Sequence, residues 1–430
     1  MTVLLVHLPV GFEESYPLSL ASVASSIVEA GYSVEGLDVG RVGLRGLAGR
    51  LQRGDVRVVG LSAWSPGRLD TIQAIRAVRE APNHPFLVLG GPHPSLEPQD
   101  LDADAVVVGE GEWAFRDLVD ALAAGRTVEG IPGVRTKESN SATSAREPAD
   151  LAALPLPDRS VFSVGDYQRD HLPRGRRYTA DVTSRGCLYQ CSFCSAPKLW
   201  GRGHRYRPAE QVQANWKALH LDHGIHSILV EDDLFTQRRE RVVELCETLI
   251  ARPPGLTWEL LNGIRPESVD PALLVLMARA GCTRMAFSIE TGQTDHLRAM
   301  GRSPNVERVR EHVAAAQKAG ISTTGYFLIG LPRETAAERQ QTFRYATTLD
   351  LDMAHFSIAS AWPGTAWSAT DLPAVPVRER GSYYRAWYLH PRRALRAARC
   401  LGVGVRDLPD MVRRLYRWIA RPLEARRMGQ

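Results

Sequence analysis

The feature that most constrains the fold of this chain is a regular alternation of short apolar runs with segments of helical periodicity. Continuous apolar runs of this kind are typical of strands buried on both faces of a parallel sheet. In the N-terminal third the apolar runs lie at 3–7, 34–39, 56–62, 86–89 and 105–108, with helical segments at 18–30, 44–51, 69–79 and 113–123. This order predicts a doubly wound, flavodoxin-like (Rossmann-type) α/β domain, whose ligand binds beyond the carboxyl ends of the strands.

The alternation resumes at a longer period in the middle of the chain. The strand candidates are 180–184, 227–231, 257–261, 284–289, 323–329 and 355–359, and the helical segments are 209–220, 239–251, 271–280, 306–319 and 336–349. These β/α units predict a partial (β/α)6 barrel of the TIM type. Its chemistry belongs at the carboxyl ends of its strands.

The remaining segments have a different composition. Residues 136–160 are rich in Ser, Ala and Pro and predict a linker, so we divide the chain into a ligand-binding domain (1–135), a linker (136–175), a barrel (176–376) and a helical tail (377–430). From residue 378 onward the tail carries 14 arginines, no lysine and four acidic residues. An apolar stripe at helical spacing runs from Met411 to Ile419. We expect the tail to cover the barrel, with its arginines solvated or facing an anionic group.

Composition excludes several classes of protein. The 430-residue chain has 44% hydrophobic and 23% charged residues, the balance of a globular protein and not of a disordered or fibrous one. No apolar run is long enough to cross a bilayer. The N-terminus lacks a cationic region and a small-residue cleavage site, so we expect no signal peptide and a cytoplasmic location.

The strongest chemical signal is a group of three cysteines in the segment SRGCLYQCSFC at residues 184–194. Cys187, Cys191 and Cys194 have the spacing C-x3-C-x2-C and follow the first predicted barrel strand. Three thiolates on one loop can bind three irons of a 4Fe–4S cluster and leave the fourth iron open to a small molecule. A zinc site completed by His204, or three cysteines without a ligand, are the alternatives.

This segment, including Phe193 before the third cysteine, resembles the signature of the radical S-adenosylmethionine (SAM) superfamily. The turns GGPH at 90–93 and VGEGE at 108–112 resemble the cobalamin-binding domain that precedes the barrel in the cobalamin-dependent branch. The segments LPLPD at 154–158 and YRAWYL at 384–389 also resemble that branch.

The resemblance implies three cofactors, namely a 4Fe–4S cluster on the three cysteines, SAM and cobalamin. It places SAM at the carboxyl ends of the barrel strands. The residues implied for SAM are Phe193, Asp232, Asp233, Arg265, Ser288, Glu290 and Tyr326. Those implied for cobalamin are Ser62, Trp64, Gly90, Gly91, Pro92, His93, Gly109, Glu110 and Gly111.

Many cobalamin enzymes supply a lower axial histidine from a D-x-H-x-x-G motif, which this sequence lacks. We therefore expect cobalamin to bind without a protein nitrogen on cobalt. Trp64 follows the third strand, where it either lies under the corrin or packs against a neighbouring helix.

The resemblance implies a C-methyltransferase that acts on an unactivated carbon of a small-molecule precursor of a natural product or lipid. In this interpretation one SAM methylates the cobalamin and a second yields a 5′-deoxyadenosyl radical. The radical activates the substrate, which then takes the methyl group from methylcobalamin. The electrons come from a donor such as flavodoxin or ferredoxin.

Two other functions remain open. Enzymes that use the same cofactors also catalyse ring contraction or cyclisation. A cobalamin- or SAM-binding sensor, whose basic tail contacts nucleic acid, is the non-enzyme alternative. We do not expect nucleic acid as a partner, because an intact three-cysteine loop has little purpose in a sensor. A methylthiotransferase would carry cluster cysteines in its N-terminal domain, and no cysteine precedes Cys187.

Overall fold

The computed structural model describes residues 1–8, 16–137, 146–167, 177–201 and 203–401. Contacts between residues divide the chain into two compact units. The first comprises Met1–Gln168 and Ser195–Tyr206, and the second Arg169–Cys194 and Arg207–Gln430.

The first unit contains the predicted flavodoxin-like sheet. Its strands are β1 (Thr2–His7), β2 (Ser33–Asp38), β3 (Val56–Ser62), β4 (Phe86–Gly90), β5 (Ala105–Val107) and β6 (Val134–Thr136), and its helices are α1 (Leu18–Glu29), α2 (Val39–Leu51), α3 (Arg68–Arg79), α4 (Pro92–Leu96) and α5 (Gly111–Ala123). The strand order is β2-β1-β3-β4-β5-β6, parallel except for β6, which pairs antiparallel with β5. The predicted fold class is thus confirmed, and β6 and α4 are additions that the sequence pattern did not predict.

The core of this sheet consists of the predicted apolar runs. Leu4 and Val6 of β1 and Val59 of β3 are fully buried, as expected for strands with helices on both faces. Their burial fixes the orientation of the sheet and brings the turns after β3, β4 and β5 to one edge.

Part of the segment predicted as a linker packs against the first unit. The backbone N–H of Asp158 donates to the carbonyl of Ala21 at 2.9 Å, and the Tyr167 hydroxyl donates to Asp38 at 2.9 Å. A Cβ on Gly36 would lie 2.4 Å from the carbonyl oxygen of Val161, so strand β2 requires glycine where this segment crosses it. The position of the domain boundary stays a prediction.

The second unit contains the barrel sheet. The strands that follow in the chain are β7 (Tyr178–Asp181), β8 (Ser184–Arg185), β9 (Arg205–Tyr206), β10 (Ser227–Val230), β11 (Thr257–Ile264), β12 (Cys282–Glu290), β13 (Ser322–Ile329) and β14 (Met353–Ile358). The helices are α6 (Ala196–Trp200), α7 (Ala209–His223), α8 (Arg239–Ala251), α9 (Pro271–Arg279), α10 (Thr294–Ala299), α11 (Val306–Lys318), α12 (Ala336–Thr348), α13 (Val377–Tyr388) and α14 (Pro391–Cys400). Of these, β9 and α6 belong to the first unit.

The sheet order β7-β10-β11-β12-β13-β14 follows the chain, and every pairing is parallel. This is the predicted partial barrel. In a parallel sheet the carboxyl ends of all strands lie at one rim, which places the residues after β10, β11, β12 and β13 beside the cysteine loop that follows β8.

The start of the predicted tail is helical. Helix α13 packs along β14, and α14 follows it. The apolar stripe from Met411 to Ile419 lies outside the described residues. Among the helices of the described ranges, none combines the length and the apolar character that a bilayer span needs.

Candidate functional site

The cysteine loop leaves β8 with its three thiols half-buried and free of disulfide bonds. The N–H of Cys194 donates to the carbonyl of Cys191 at 3.0 Å and closes a turn. Ser192 fixes the loop from both sides, since its N–H donates to the carbonyl of Met300 at 3.3 Å and its carbonyl accepts from the N–H of Ala366 at 2.9 Å. The loop is therefore held against the barrel by its backbone.

Phe193, predicted beside SAM, packs within the second unit. Its ring centroid lies 5.6 Å from that of Trp367. This contact anchors the residue before Cys194 in a small apolar cluster with Leu331 and Met300. A role in positioning the third cysteine fits this contact.

Asp232 anchors the turn that leads into the cysteine loop. Its carboxylate accepts hydrogen bonds of 2.6 Å from the N–H and hydroxyl of Thr183 and from the hydroxyl of Ser184, and Arg241 lies 3.9 Å away. With 3% exposure and these partners, Asp232 acts as a structural anchor of the loop. The neighbouring Asp233 accepts from the N–H of Gly186 at 2.9 Å.

Arg265, at the end of β11, contacts the cysteine loop directly. Its Nη1 donates to the Sγ of Cys191 at 3.4 Å, and its guanidinium lies 3.7 Å above the ring of Tyr189. Glu267 pairs with the same guanidinium at 2.6 Å. Arg265 is 6% exposed, so this positive charge is held near the thiolates in a poorly solvated place.

Ser288 and Glu290 lie at the carboxyl end of β12, and each contacts Arg302. Glu290 is 5% exposed, adopts φ of +68° and pairs with Arg302 at 3.6 Å. Burial raises the pKa of the Glu290 carboxyl, while the charge of Arg302 opposes that shift. Arg302 also donates to the carbonyl of Ser288. Glu290 thus lies at the rim of the barrel under the influence of two cations, Arg302 and Arg265.

Tyr326 on β13 is half-buried, and its hydroxyl donates to the carbonyl of Leu261 at 2.6 Å. Next to it, Gly263 has φ of +93°, and a Cβ there would lie 2.5 Å from the Ser288 hydroxyl oxygen. The close approach of β11 to β12 and β13 therefore requires glycine at this position.

Sequence reasoning missed several residues of this site. Gln237 accepts from the N–H of Leu188 at 3.1 Å and lies 3.8 Å from the Sγ of Cys187. Met300 and Arg302 follow the short helix α10, and they belong to no sequence motif that could have identified them. Tyr189 lies inside the cysteine segment. Aromatic rings often stack on buried arginines, and this preference is a signal that could have identified Tyr189.

The donor set fits a 4Fe–4S cluster better than a mononuclear site. Within the described part of the chain, no group of three or more His, Cys, Asp or Glu side chains converges on a single metal ion. A cluster does not require such convergence, because each thiolate binds a different iron. The cysteine loop would hold the cluster through Cys187, Cys191 and Cys194, with Arg265 as a nearby cation.

At the carboxyl edge of the first sheet, Ala63 joins the turns after β3 and β4. Its N–H donates to the carbonyl of Gly90 at 2.8 Å, and its carbonyl accepts from the N–H of His93 at 3.2 Å. Gly91 has φ of +97°, and a Cβ there would lie 2.8 Å from the Ala63 carbonyl oxygen. A Cβ on Gly90 would meet no atom within 4 Å. These turns present open backbone that a large flat ligand such as a corrin could approach.

Both ring nitrogens of His93 already have partners. Nδ1 lies 2.9 Å from the hydroxyl of Ser65, and Nε2 lies 2.8 Å from Asp100. Arg68 pairs with the same Asp100 and, together with His93, lowers the pKa of that carboxyl to about 2. His93 therefore fastens its helix to the neighbouring turn, a role that uses both nitrogens.

The predicted cobalamin residues after β3 differ in exposure. Ser62 is 7% exposed, and Trp64 is 43% exposed. Pro92 opens α4 directly after Gly91. A large exposed indole on the edge where the turns open is consistent with contact to a ligand, and the cobalamin role of Trp64 stays a prediction.

The turn after β5 is held by polar contacts within the first unit. The N–H of Gly109 donates to the hydroxyl oxygen of Ser95 at 3.0 Å. The Glu110 carboxylate pairs with Arg205 and accepts from the N–H of Ala149 at 3.2 Å. Gly111 begins α5, and a Cβ there would lie 3.1 Å from Val23. Glu110 thus holds neighbouring segments in place.

Comparison with known proteins adds two family models. One described as the radical SAM superfamily matches residues 182–346, and one described as a B12 binding domain matches residues 10–119. The two matches coincide with the barrel sheet and with the flavodoxin-like sheet.

Two curated proteins and a solved structure extend the comparison. "Uncharacterized methyltransferase PH0819" of Pyrococcus horikoshii is 31% identical over 361 residues, 81% of this chain and 77% of that protein. The anaerobic magnesium-protoporphyrin IX monomethyl ester cyclase of Rubrivivax gelatinosus is 28% identical over 71% of this chain, which spans only 57% of the cyclase. The structure of the radical SAM methyltransferase TsrM from Kitasatospora setae, with cobalamin and a 4Fe–4S cluster bound, has a TM-score of 0.70 and 21% identity, and covers 85% of this chain and 73% of TsrM.

Proposed function

Because this chain belongs to the cobalamin-dependent branch of the radical SAM superfamily, we propose that it is a C-methyltransferase acting on an unactivated carbon of a small molecule. The cofactors of this branch are a 4Fe–4S cluster, SAM and cobalamin. The observation that carries the proposal is the cysteine loop, whose three cysteines form no disulfide and whose Cys191 accepts a hydrogen bond from Arg265. When bound, the cluster supplies the electron that cleaves SAM, and cobalamin carries a methyl group.

The residues of the chain have defined tasks in this proposal. Arg265 and Gln237 hold the cysteine loop and place donor and acceptor groups beside Cys191 and Cys187. Glu290, buried beside Arg302, is positioned to accept from an ammonium or hydroxyl group of SAM. Gly90, at the end of β4, would leave backbone space for a corrin, because a Cβ there would meet no atom within 4 Å.

We further propose a small-molecule precursor of a natural product or lipid as the substrate, and a cytoplasmic electron donor such as flavodoxin or ferredoxin. The cluster needs one electron per cleavage of SAM, and none of the described side chains provides a second cysteine grouping that could relay it. A nucleic-acid role for the tail is disfavoured, because Tyr383 and Trp387, which would have to stack on bases, are 2% and 0% exposed.

The proposal is tested by anaerobic reconstitution of the full chain with iron, sulfide and cobalamin. The protein is then incubated with a reductant, a small-molecule extract and SAM carrying a deuterated methyl group. Two uses of SAM are expected to give two products, S-adenosylhomocysteine and 5′-deoxyadenosine. A small-molecule extract should then contain a compound that gains the labelled methyl group. Formation of neither SAM product by a protein that holds its cluster would contradict the proposal.

Cyclisation is the second candidate, favoured by the similarity to the Rubrivivax gelatinosus cyclase. A cyclase would form 5′-deoxyadenosine without transferring the label and without S-adenosylhomocysteine. The same incubation therefore separates the two activities.

A further inference from the structure

Helix α13 runs antiparallel to the edge strand β14. The hydroxyl of Tyr388 bonds Ala354, near the start of β14, and the hydroxyl of Tyr384 bonds Phe356, two residues further along. Four residues of a helix advance about 6 Å, close to the rise of two strand residues. The row of Tyr388 and Tyr384 therefore continues to Arg380, which comes level with Ile358 at the carboxyl end of β14.

Arg380 is 8% exposed, and among the described residues no carboxylate pairs with it. The adjacent acid, Glu379, is engaged by Arg339 at 2.7 Å. Burial lowers the pKa of Arg380. A guanidinium removed from water without a counterion is costly, and the cost falls when an anion binds it.

His355 lies close to this cation. Its imidazole packs edge-to-face between the rings of Tyr326 and Tyr384, at centroid distances of 5.8 and 5.9 Å. Burial, assisted by the charge of Arg380, lowers the pKa of His355 to about 4. At neutral pH the imidazole is therefore uncharged, and His355 adds no positive charge beside that of Arg380.

We propose that Arg380 forms a subsite for an anionic group of the substrate, a carboxylate or a phosphate, at the carboxyl end of β14. This inference rests on the proposed function, since it assumes that a small molecule is bound at the rim of the barrel. Arg380 supplies a forked set of donors that matches either anion, and the neutral His355 beside it leaves the positive charge to Arg380 alone. SAM carries a carboxylate of its own, which is the competing source of the anion.

The test uses the full chain reconstituted with cluster and cobalamin, and equilibrium dialysis with inorganic phosphate and with acetate as probes. Wild-type protein is expected to bind at least one of the two anions. Arg380→Gln should weaken that binding roughly tenfold or more, the effect of losing a charge-assisted hydrogen bond. Arg380→Lys should retain part of the binding. Arg385→Gln is the matched control, because Arg385 lies exposed on the same helix and should leave binding unchanged.

Several results would overturn the subsite. The first is that wild-type protein binds neither anion, and the second is that Arg380→Gln binds the anions as tightly as wild type does. The third is that SAM competes with phosphate and that Arg380→Gln also binds SAM more weakly. The last result would assign Arg380 to the carboxylate of SAM.

A second measurement guards against a variant that merely loses its fold. Nuclear magnetic resonance of labelled histidine should show a higher pKa for His355 in Arg380→Gln than in wild type, since the opposing charge has gone. An unchanged His355 pKa in a folded variant would overturn the geometry. Failure of the proposed function is distinct, because it would appear as absent SAM products with anion binding intact.

Discussion

The hydroxyl of Tyr384 bonds both backbone groups of Phe356, accepting from its N–H at 2.9 Å and donating to its carbonyl at 3.3 Å. Tyr388 does the same with Ala354, at 3.3 and 3.0 Å. A partial barrel ends in an edge strand whose backbone groups would otherwise lack partners. Two tyrosine hydroxyls of α13 thus stand where the backbone of a further strand would lie, and the start of the tail completes the barrel.

Replacing Tyr384 with Phe should destabilise the protein by about 1–3 kcal/mol, the cost of leaving a buried backbone donor and acceptor unsatisfied. Tyr388→Phe should have a similar effect, and urea unfolding would measure both. Arg385→Gln serves as the control, because Arg385 is exposed on the same helix and a surface change should cost less than about 0.5 kcal/mol. Unfolding midpoints that coincide for Tyr384→Phe and the control would show that the edge does not depend on these hydroxyls.

The alternation of apolar runs was sufficient to predict the fold class of both sheets, because a strand buried on both faces must be apolar throughout. The hydrogen bonds of Tyr384 to the edge strand β14 could not be predicted in this way. The YRAWYL segment is visible as a pattern, but the bonds of a hydroxyl to a strand 28 residues away depend on tertiary packing. Strand β6 was missed because three residues are too short for a periodicity.

In the candidate site too, local sequence patterns were predictive and contacts that depend on tertiary packing were not. The spacing of Cys187, Cys191 and Cys194 identified the loop, since it is encoded within eight positions. The contact of Gln237 with the loop joins different β/α units, and the pairing of Glu290 with Arg302 joins the end of β12 to the segment after α10. No local pattern specifies such pairs. For Asp232 and Glu110, position at a strand end was predicted correctly, but their carboxylates are held by neighbouring backbone and side chains.

Replacing Cys187, Cys191 and Cys194 together with Ala should abolish iron binding and SAM cleavage while the chain still folds. Iron content and 5′-deoxyadenosine formation measure the two effects. The control replaces Cys246, Cys282 and Cys400, which should leave the iron content unchanged. Burial raises the pKa of Cys246 to about 12 and raises those of Cys282 and Cys400, so these thiols are poor ligands. Iron retained by the first triple variant would refute the assignment of the cluster.

Cobalamin should bind the first unit without a protein nitrogen on cobalt. His93 has both ring nitrogens engaged. Burial lowers the pKa of His7 against the charge of Asp38, and His7 does not stand in a D-x-H-x-x-G motif. Electron paramagnetic resonance of the cob(II)alamin form should therefore lack nitrogen splitting from an axial ligand. Splitting that disappears in His93→Gln or in His7→Gln would contradict this.

Replacing Arg265 with Met should shift the reduction potential of the cluster to more negative values. The change removes a positive charge and the hydrogen bond to the Sγ of Cys191, both of which favour the reduced cluster. Arg265→Lys keeps the charge but not the stacking on Tyr189, so an intermediate potential is expected. Potentiometric titration followed by electron paramagnetic resonance gives the values. Equal potentials in wild type and Arg265→Met would mean that the contact has no electronic effect on the cluster.

His355 should make stability depend on pH between about 4 and 6.5. Its pKa in the folded protein is lowered to about 4 by burial, from an ordinary value of 6.5. In this window the imidazole is protonated in the unfolded chain but remains neutral in the folded protein. The stability that it contributes is therefore fully present above pH 6.5 and is lost as the pH falls. Between pH 7.5 and pH 5 the loss attributable to this group is about 2 kcal/mol.

His355→Gln should lose correspondingly less stability over the same interval, as measured by urea unfolding at the two pH values. A wild-type His355 that titrates near pH 6.5 by nuclear magnetic resonance would contradict the prediction, because the imidazole would then have to be solvated rather than enclosed between Tyr326 and Tyr384.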